Sequence, residues 1–322
     1  MLKPPMLQSN SEKQAREKVD LSIVIVSWNT CRLLDECLAS IYRNPLGGEY
    51  EVWVVDNDST DGTQQMLQHK YPQIRLIANA QNLGFARANN QAIRQSTGRY
   101  VLCLNPDTEV KPGSIELLLG FMEQHTEAGG AGPYLLNSDG SFQISAYPMP
   151  TLGREFWRMF TLDRLRNFDV YAEHCVDSIE YCQVEVLKGA CMLLRREALE
   201  QVGLFDEDYF IYTEEVDLCY RMNQAGWGLY WVPEARVLHH EGQSTHQVAE
   251  EMFLRLYQTK ILFFRKRYGL LTSWIYKLIL LAAAIFRLAL SPIALLDRNP
   301  RREERLLLAR NYTQLVVALP GM

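Results

Sequence analysis

The sequence predicts a doubly wound α/β domain over residues 21–250, preceded by a polar leader (1–20) and followed by an apolar, basic helical segment over 251–322. Three observations carry this. From Leu21 onward, short β-branched runs alternate with amphipathic stretches. Runs such as Ile23–Val26 and Val52–Val55 are apolar at every position rather than every second one, as parallel strands covered on both faces are. Charge is divided: residues 1–250 carry 21 Lys and Arg against 34 Asp and Glu, whereas 251–322 carry 12 against 4.

The leader MLKPPMLQSNSEKQAREKVD has no apolar core, so it does not read as a secretory signal and is expected to be mobile. The order that follows is strand LSIVIVS, helix Cys31–Arg43, strand EVWVVD, helix Thr63–His69, strand IRLIA, helix Phe85–Gln95 and strand YVLCLN. Pro112-Gly113 punctuates the next helix. The pattern loosens through Tyr134–Pro150. It returns with VEVLKGACMLLR, a helix near Thr213–Gln224, and a strand pair at Leu229–Val232 and Arg236–His239. Residues 253–296 read as helical.

At 322 residues, 48% hydrophobic and 22% charged, the chain suits one large domain or two smaller ones. The acidic body argues against nucleic acid as a partner. Seven scattered cysteines without a CxxC favour reduced thiols and a cytoplasmic location. No GxGxxG, GxxxxGK[ST] or HExxH is present, which removes dinucleotide, P-loop and zincin readings. A nucleotidyltransferase would need a glycine-rich basic loop where SWNTCRLL stands.

Polar residues close the strands, and in an open α/β sheet ligands gather at those ends. Asp56 is placed to accept from a pyrimidine imide or a ribose hydroxyl. Asp107, in Asn105-Pro106-Asp107, offers a carboxylate to Mg²⁺ or Mn²⁺ bridging a diphosphate, or else simply sits in a turn. His239-His240 offers a metal or phosphate contact, with His240 the candidate ligand beside Asp107. Glu214, Glu215 and Asp217 open a helix, where acids compensate the dipole or supply a general base. Lys188-Gly189-Ala190 permits close approach of donor or acceptor.

Taken in order, SIVIVSWN, EVWVVDNDSTDGT, NLGFARANNQAI, GRYVLCLNPDTEV, KGACMLLRREALEQVGLFDEDYFIYTEEVDLCYRMNQAGW and VPEARVLHHEGQST resemble the family 2 inverting glycosyltransferases, in particular the rhamnosyltransferase-like branch. The resemblance covers about 21–246 and implies a GT-A, Rossmann-like fold that binds a dTDP- or UDP-linked sugar. It implies that Asp56 contacts the base, that Ser27 and Asn29 line the same pocket, and that Asn82, Gly84 and Asn89 border the donor. Asn105 stands where the family's metal motif has its first acid, leaving Asp107 the main ligand. Glu215 stands where the base is an Asp. The implied acceptor is a glycan or lipid-linked saccharide in cell-surface polysaccharide assembly. The alternative is a membrane-associated scaffold that keeps the fold with impaired catalysis, for which Asn105 and Glu215 are the grounds.

The stretch Leu278–Leu296 has Arg287 at its centre. Its apolar residues favour insertion by roughly 3–7 kcal/mol against about 2.5–3.5 for the arginine, and the basic groups Arg265-Lys266-Arg267 and Arg298–Arg305 flank it on both sides. The segment is therefore expected to lie on the inner face of the cell membrane rather than cross it, with Lys277 and Arg287 toward headgroups. Packing on the domain, or in a homo-oligomer, is the other way to cover it.

Overall fold

The computed structural model describes residues 20–44, 46–160, 162, 181–240, 249–295 and 302–322. Residues 1–19 of the expected leader, Cys175, and Arg298 and Arg301 lie outside them. The first half follows the alternation: β1 (Leu21–Ser27), α1 (Cys31–Tyr42), β2 (Tyr50–Asp56), α2 (Thr63–Lys70), β3 (Arg75–Ala78), α3 (Phe85–Gln95), β4 (Tyr100–Leu104), β5 (Thr108–Val110) and α4 (Ser114–Gln124). Then come β6 (Ala128–Leu136), β7 (Phe142–Gln143), β8 (Ala146–Tyr147), α5 (Leu152–Met159), β9 (Cys182–Val184), β10 (Val186–Leu187), β11 (Cys191–Arg195), α6 (Arg196–Val202), α7 (Glu214–Gln224) and β12 (Gly228–His239).

The main sheet runs β3-β2-β1-β4-β11-β6-β12-β5. Strands β1 to β4 pair parallel, as their unbroken apolar runs require. On β1, Val24 and Val26 enter one core layer while Ile23 and Ile25 enter the other. The sheet is not parallel throughout: β11 is antiparallel to β4 and β6, and β5 to β12. The expected strand pair at 229–239 is one strand, β12, whose parallel register with β6 shifts between Val232 and Arg236. Pro233 cannot donate to the ladder, and the strand absorbs it as an irregularity instead of turning back.

The C-terminal segment is α8 (Ala249–Tyr268), α9 (Leu270–Leu295) and α10 (Arg302–Ala318). It packs around Tyr257, Phe264, Tyr276, Leu280, Tyr312 and Leu315, together with Met159 of α5. Helix α8 is tied into the sheet domain: Phe263 enters its core, Arg267 bonds both oxygens of Asp217 at 2.5 and 2.8 Å, and Lys266 bridges Asp206 and Asp208. Two of the three residues in the Arg265–Arg267 cluster are thus neutralised by the protein.

Arg287 also departs from expectation. Its guanidinium donates to Met159 O at 2.9 Å and lies over the Tyr312 ring, because an orphan carbonyl at the end of α5 is within reach. Helix α9 contains a stretch, Leu270–Leu290, long and apolar enough to cross a membrane, of which 28% is buried in the protein. Leu271, Trp274, Leu278, Ile285 and Leu290 are exposed on it. Cys31, Cys37, Cys103, Cys191 and Cys219 are free thiols as expected. Cys182 is a correction: it is disulfide-bonded, and sequence spacing without a CxxC did not mark it.

Candidate active site

A cavity of about 290 Å³ opens where β1, β2 and β4 end and α7 begins. Its first wall is the β1–α1 turn. Ser27, wholly buried, bonds Thr30 at 3.0 Å. Asn29, at φ 51°, donates its backbone N–H to Ser59 and accepts from Thr60 N–H through Oδ1. These two expected donor contacts brace the turn, and it is Trp28 between them that faces the cavity. Asp56 is wholly buried at the end of β2; Oδ2 accepts from Gln64 at 2.6 Å and Oδ1 has no partner. Asn57, the next residue, lines the cavity and donates to Gly84 O at 3.2 Å.

The second wall is the loop before α3. Asn82 Oδ1 accepts from Gly84 N–H at 2.9 Å, and both residues line the cavity. Gly84 has φ 83°, and a Cβ there would fall 2.3 Å from Phe210 O, so only glycine fits. Phe85 N–H donates to the same carbonyl at 2.6 Å. Asn89 lies one turn further on, buried, donating to Phe85 O rather than facing the cavity.

The floor holds Asn105, Asp107 and His239. His239 Nδ1 lies 2.7 Å from Gln143 Oε1, which also accepts from Lys188, while Gln143 Nε2 donates to His239 O. That amide orientation puts the imidazole proton on Nδ1 and leaves a lone pair on Nε2. Nε2 lies 3.4 Å from Asp107 Oδ1 and accepts from the Asn105 amide nitrogen at 3.4 Å, while Asn105 Oδ1 is buried without a partner. The His239 imidazole, the Asp107 carboxylate and the orphan Asn105 amide oxygen line one cavity and are of the donor types that Mg²⁺ or Mn²⁺ takes, with a turn of the Asn105 amide freeing Nε2. His240 is not part of it. Its Nε2 turns to Glu109 at 3.2 Å and its Nδ1 to Ser138, because successive residues leaving a strand point to opposite faces. Glu36 joins Glu109 and His240 in a separate cluster whose candidate ligand atoms lie within 4.8 Å.

The acidic wall is the N-terminus of α7. Tyr212 and Thr213, at φ 67° and 71°, are left-handed without being glycine, each at a cost of about 1–2 kcal/mol. That turn drives Glu214 and Glu215 against the cavity, which both line. Burial and the neighbouring Glu215 push the Glu214 carboxyl well above the usual carboxylate range. Burial raises Glu215 as well, against the opposing bond from Tyr147 Oη to its Oε1 at 2.6 Å and the charge of Lys188. Oε2 of each glutamate is buried without a partner. Asp217 lies elsewhere: half a turn beyond Glu215, it is wholly buried between Arg221 and Arg267 and holds α8 in place. A Cβ at Gly189 would meet Glu215 Cβ and Cγ at 3.6 Å, an ordinary contact, so this glycine adds room beside Glu215 without being sterically required.

The profile of "Glycosyl transferase family 2" matches residues 22–203. The chain is 38% identical over 246 residues to an N-acetylglucosaminyl-diphospho-decaprenol L-rhamnosyltransferase of Mycobacterium tuberculosis, covering 70% of this chain and 77% of that protein. It is 28% identical over 205 residues to the rhamnosyltransferase WbbL of Escherichia coli K12, covering 59% and 73%. Among solved structures, a mannosyltransferase from Pyrobaculum calidifontis in complex with GDP-Man and Mn²⁺ superposes at TM-score 0.54 and 18% identity, over 93% of this chain and 84% of that one. GalNAc-T7 with UDP, GalNAc and Mn²⁺ gives 0.52 and 18%, over 70% and 44%. These two likenesses are of fold, and the fold is GT-A.

Proposed function

The chain belongs to glycosyl transferase family 2, and on that premise we propose that it transfers a sugar, rhamnose in the first instance, with inversion from a dTDP- or UDP-linked donor to a hydroxyl of a lipid-linked saccharide. One observation carries the chemistry: a glutamate, Glu215, lines the cavity whose floor holds Asp107 and His239, and its buried Oε2 has no partner. Glu215 Oε2 takes the proton of the acceptor hydroxyl. The hydroxyl oxygen bonds to the anomeric carbon opposite the leaving group, the bond from that carbon to the diphosphate oxygen breaks, and the nucleoside diphosphate departs with the electron pair. Tyr147 holds the other carboxylate oxygen, leaving Oε2 as the one to receive the proton.

Asp107, His239 and Asn105 would hold a divalent cation, Mg²⁺ or Mn²⁺. When bound, it neutralises charge on the leaving diphosphate. Trp28 and Asn57 face the nucleotide end of the cavity, with Asp56 behind them. The names of the relatives support rhamnosyl transfer to a lipid-linked acceptor in cell-surface polysaccharide assembly. The exposed apolar face of α9 supports a peripheral site on the inner face of the membrane.

The test is a thermal-shift screen of nucleoside diphosphate sugars with Mn²⁺ or Mg²⁺, followed by assay of nucleotide release. A ligand that binds only the folded state raises the midpoint. dTDP- or UDP-sugars that neither shift the midpoint nor release nucleotide would refute the reading.

A further inference from the structure

Glu215 and Tyr212 border not one cavity but two. Behind them, between α5, the start of α7 and α8, lies a second cavity of about 200 Å³. It is lined by Arg154 and Arg158 of α5 and Lys260 of α8, around Glu155. Glu155 is buried, yet Lys260 and Arg158 hold its carboxyl below the usual range, so it is ionised. Arg158 reaches it at 2.7 Å, Lys260 at 3.0 Å, and the Tyr276 hydroxyl donates to it at 3.0 Å. Arg154 bonds Met149 O and, at the rim, Glu185. Arg158 and Lys260 share Glu155 and Arg154 pairs with Glu185, so three cations meet two carboxylates and one positive charge is left over beside Glu215; Arg154 and Arg158 keep 35% and 41% of their side chains open to solvent. None of these three cations belongs to the cavity that Asp107 and His239 floor.

We propose that this second cavity binds the diphosphate of a lipid-linked acceptor and thereby presents the acceptor's sugar hydroxyl to Glu215 from the side opposite the donor. The assignment rests on the transferase reading above and adds to it the group by which the acceptor is recognised. Guanidinium groups pair with phosphate oxygens through two N–H donors; Arg154 and Arg158, both partly open to solvent, supply such donors, and the one cation in excess of the carboxylates favours an anion here. In-line displacement needs nucleophile and leaving group on opposite sides of the anomeric carbon, and Glu215 stands where the two cavities meet.

The far side of α5 points to a lipid as the source of the diphosphate. Phe156 there is exposed, its ring tilted against that of Phe160 at 4.7 Å between centroids, and Phe160 lies 5.7 Å from Phe286 on α9. Beyond them run the exposed Leu278, Ile285 and Leu290. A chain leaving the basic cavity crosses one helix width, about 10 Å, to reach this apolar face.

The experiment titrates the full chain with decyl diphosphate and, separately, with inorganic pyrophosphate, comparing wild type with Arg154→Gln, Arg158→Gln and Asp107→Ala. Decyl diphosphate is expected to bind at least tenfold more tightly than pyrophosphate. Each arginine variant should weaken it at least tenfold, and Asp107→Ala should leave it unchanged while losing metal-dependent nucleotide binding. Arg154 is the rim residue, so its variant keeps the test valid if Arg158→Gln leaves Glu155 under-compensated and unfolds. Equal affinity for the two probes would make this a free-anion site and overturn the lipid assignment. Binding lost in Asp107→Ala but kept in both arginine variants would place the probe in the donor cavity and overturn the proposal while sparing the transferase reading. Decyl diphosphate bound as expected, with no nucleotide bound by wild type, would instead refute the donor reading alone.

Discussion

Replacing Glu215 by Gln should produce two effects of opposite sign. The amide oxygen still accepts from Tyr147, and the amide nitrogen takes the place of an oxygen that has no partner, so the side chain keeps its position while losing the capacity to take a proton. Turnover should fall about 10²–10⁴-fold, equivalent to roughly 2.7–5.5 kcal/mol on the barrier, with donor affinity little changed. Stability should rise. Both glutamates have carboxyls raised by burial in the folded state, so the folded protein favours their protonated forms. The stability this gives is fully present below the unfolded carboxylate pKa and is lost as pH rises through the folded one. The variant carries no such charge at position 215, so its melting temperature should exceed the wild type's by a margin that widens with pH and then levels off, about 1.5 °C for each kcal/mol relieved in a chain of this size.

The assay is turnover from pH 4 to 9 beside melting curves over the same range. Wild-type kcat/KM should climb through a pKa above the ordinary carboxylate range, one belonging to the Glu214–Glu215 pair rather than to either residue. The variant should lack that limb. Turnover within threefold of wild type, or a melting temperature that falls, would refute the reasoning. A crippled Glu214→Gln with a nearly silent Glu215→Gln would move the base by one residue.

His239→Ala should weaken Mn²⁺-dependent nucleotide binding by at least tenfold in calorimetry, whereas His240→Ala should not, since the two imidazoles face different spaces. Gly84→Ala should cost about 1–3 kcal/mol in denaturant melts because its Cβ meets the Phe210 carbonyl, whereas Gly189→Ala should fold normally. Arg267→Met leaves buried Asp217 with Arg221 and the Tyr209 hydroxyl and should destabilise by about 3 kcal/mol, read as a lower urea midpoint. Placing Glu at both Leu271 and Leu278 should reduce flotation with anionic vesicles and leave the melt unchanged, because both residues are exposed.

The strand ends that frame the site were legible because unbroken apolar runs admit few placements, and a polar residue closing such a run has only the ligand edge to occupy. The acidic pair at 214–215 was legible for a similar reason: it opens a helix after an aromatic loop. What the sequence hid was facing. Trp28 stands between two residues that read as donor contacts, and only the three-dimensional turn shows that Ser27 and Asn29 are its braces. His239 and His240 differ only in which side of the sheet they leave from. Asp217 sits in the same acidic run as Glu215, and the arginine that claims it is 50 residues away. The basic cavity joins α5 to Lys260, 105 residues on from Glu155, a separation no motif spacing spans.

The joint between Gly84 and Phe210 bears on how such enzymes can be remade. The Phe210 carbonyl accepts from Phe85 N–H and closes over the bare Cα of Gly84, while Asn90 bonds Phe205 O and Arg94 pairs with Glu207. The loop before α3 and the loop that leads into Glu214 and Glu215 are therefore one mechanical piece, although more than a hundred residues separate them along the chain. A chimera that borrows residues 79–90 from a relative to change sugar preference would carry half of an interlocking pair into a foreign mate, and would lose the alignment of Glu215 before it gained a new substrate. Exchanging 79–95 together with 203–217 keeps the pair intact, so recombination between relatives of different specificity should succeed at that granularity and fail below it.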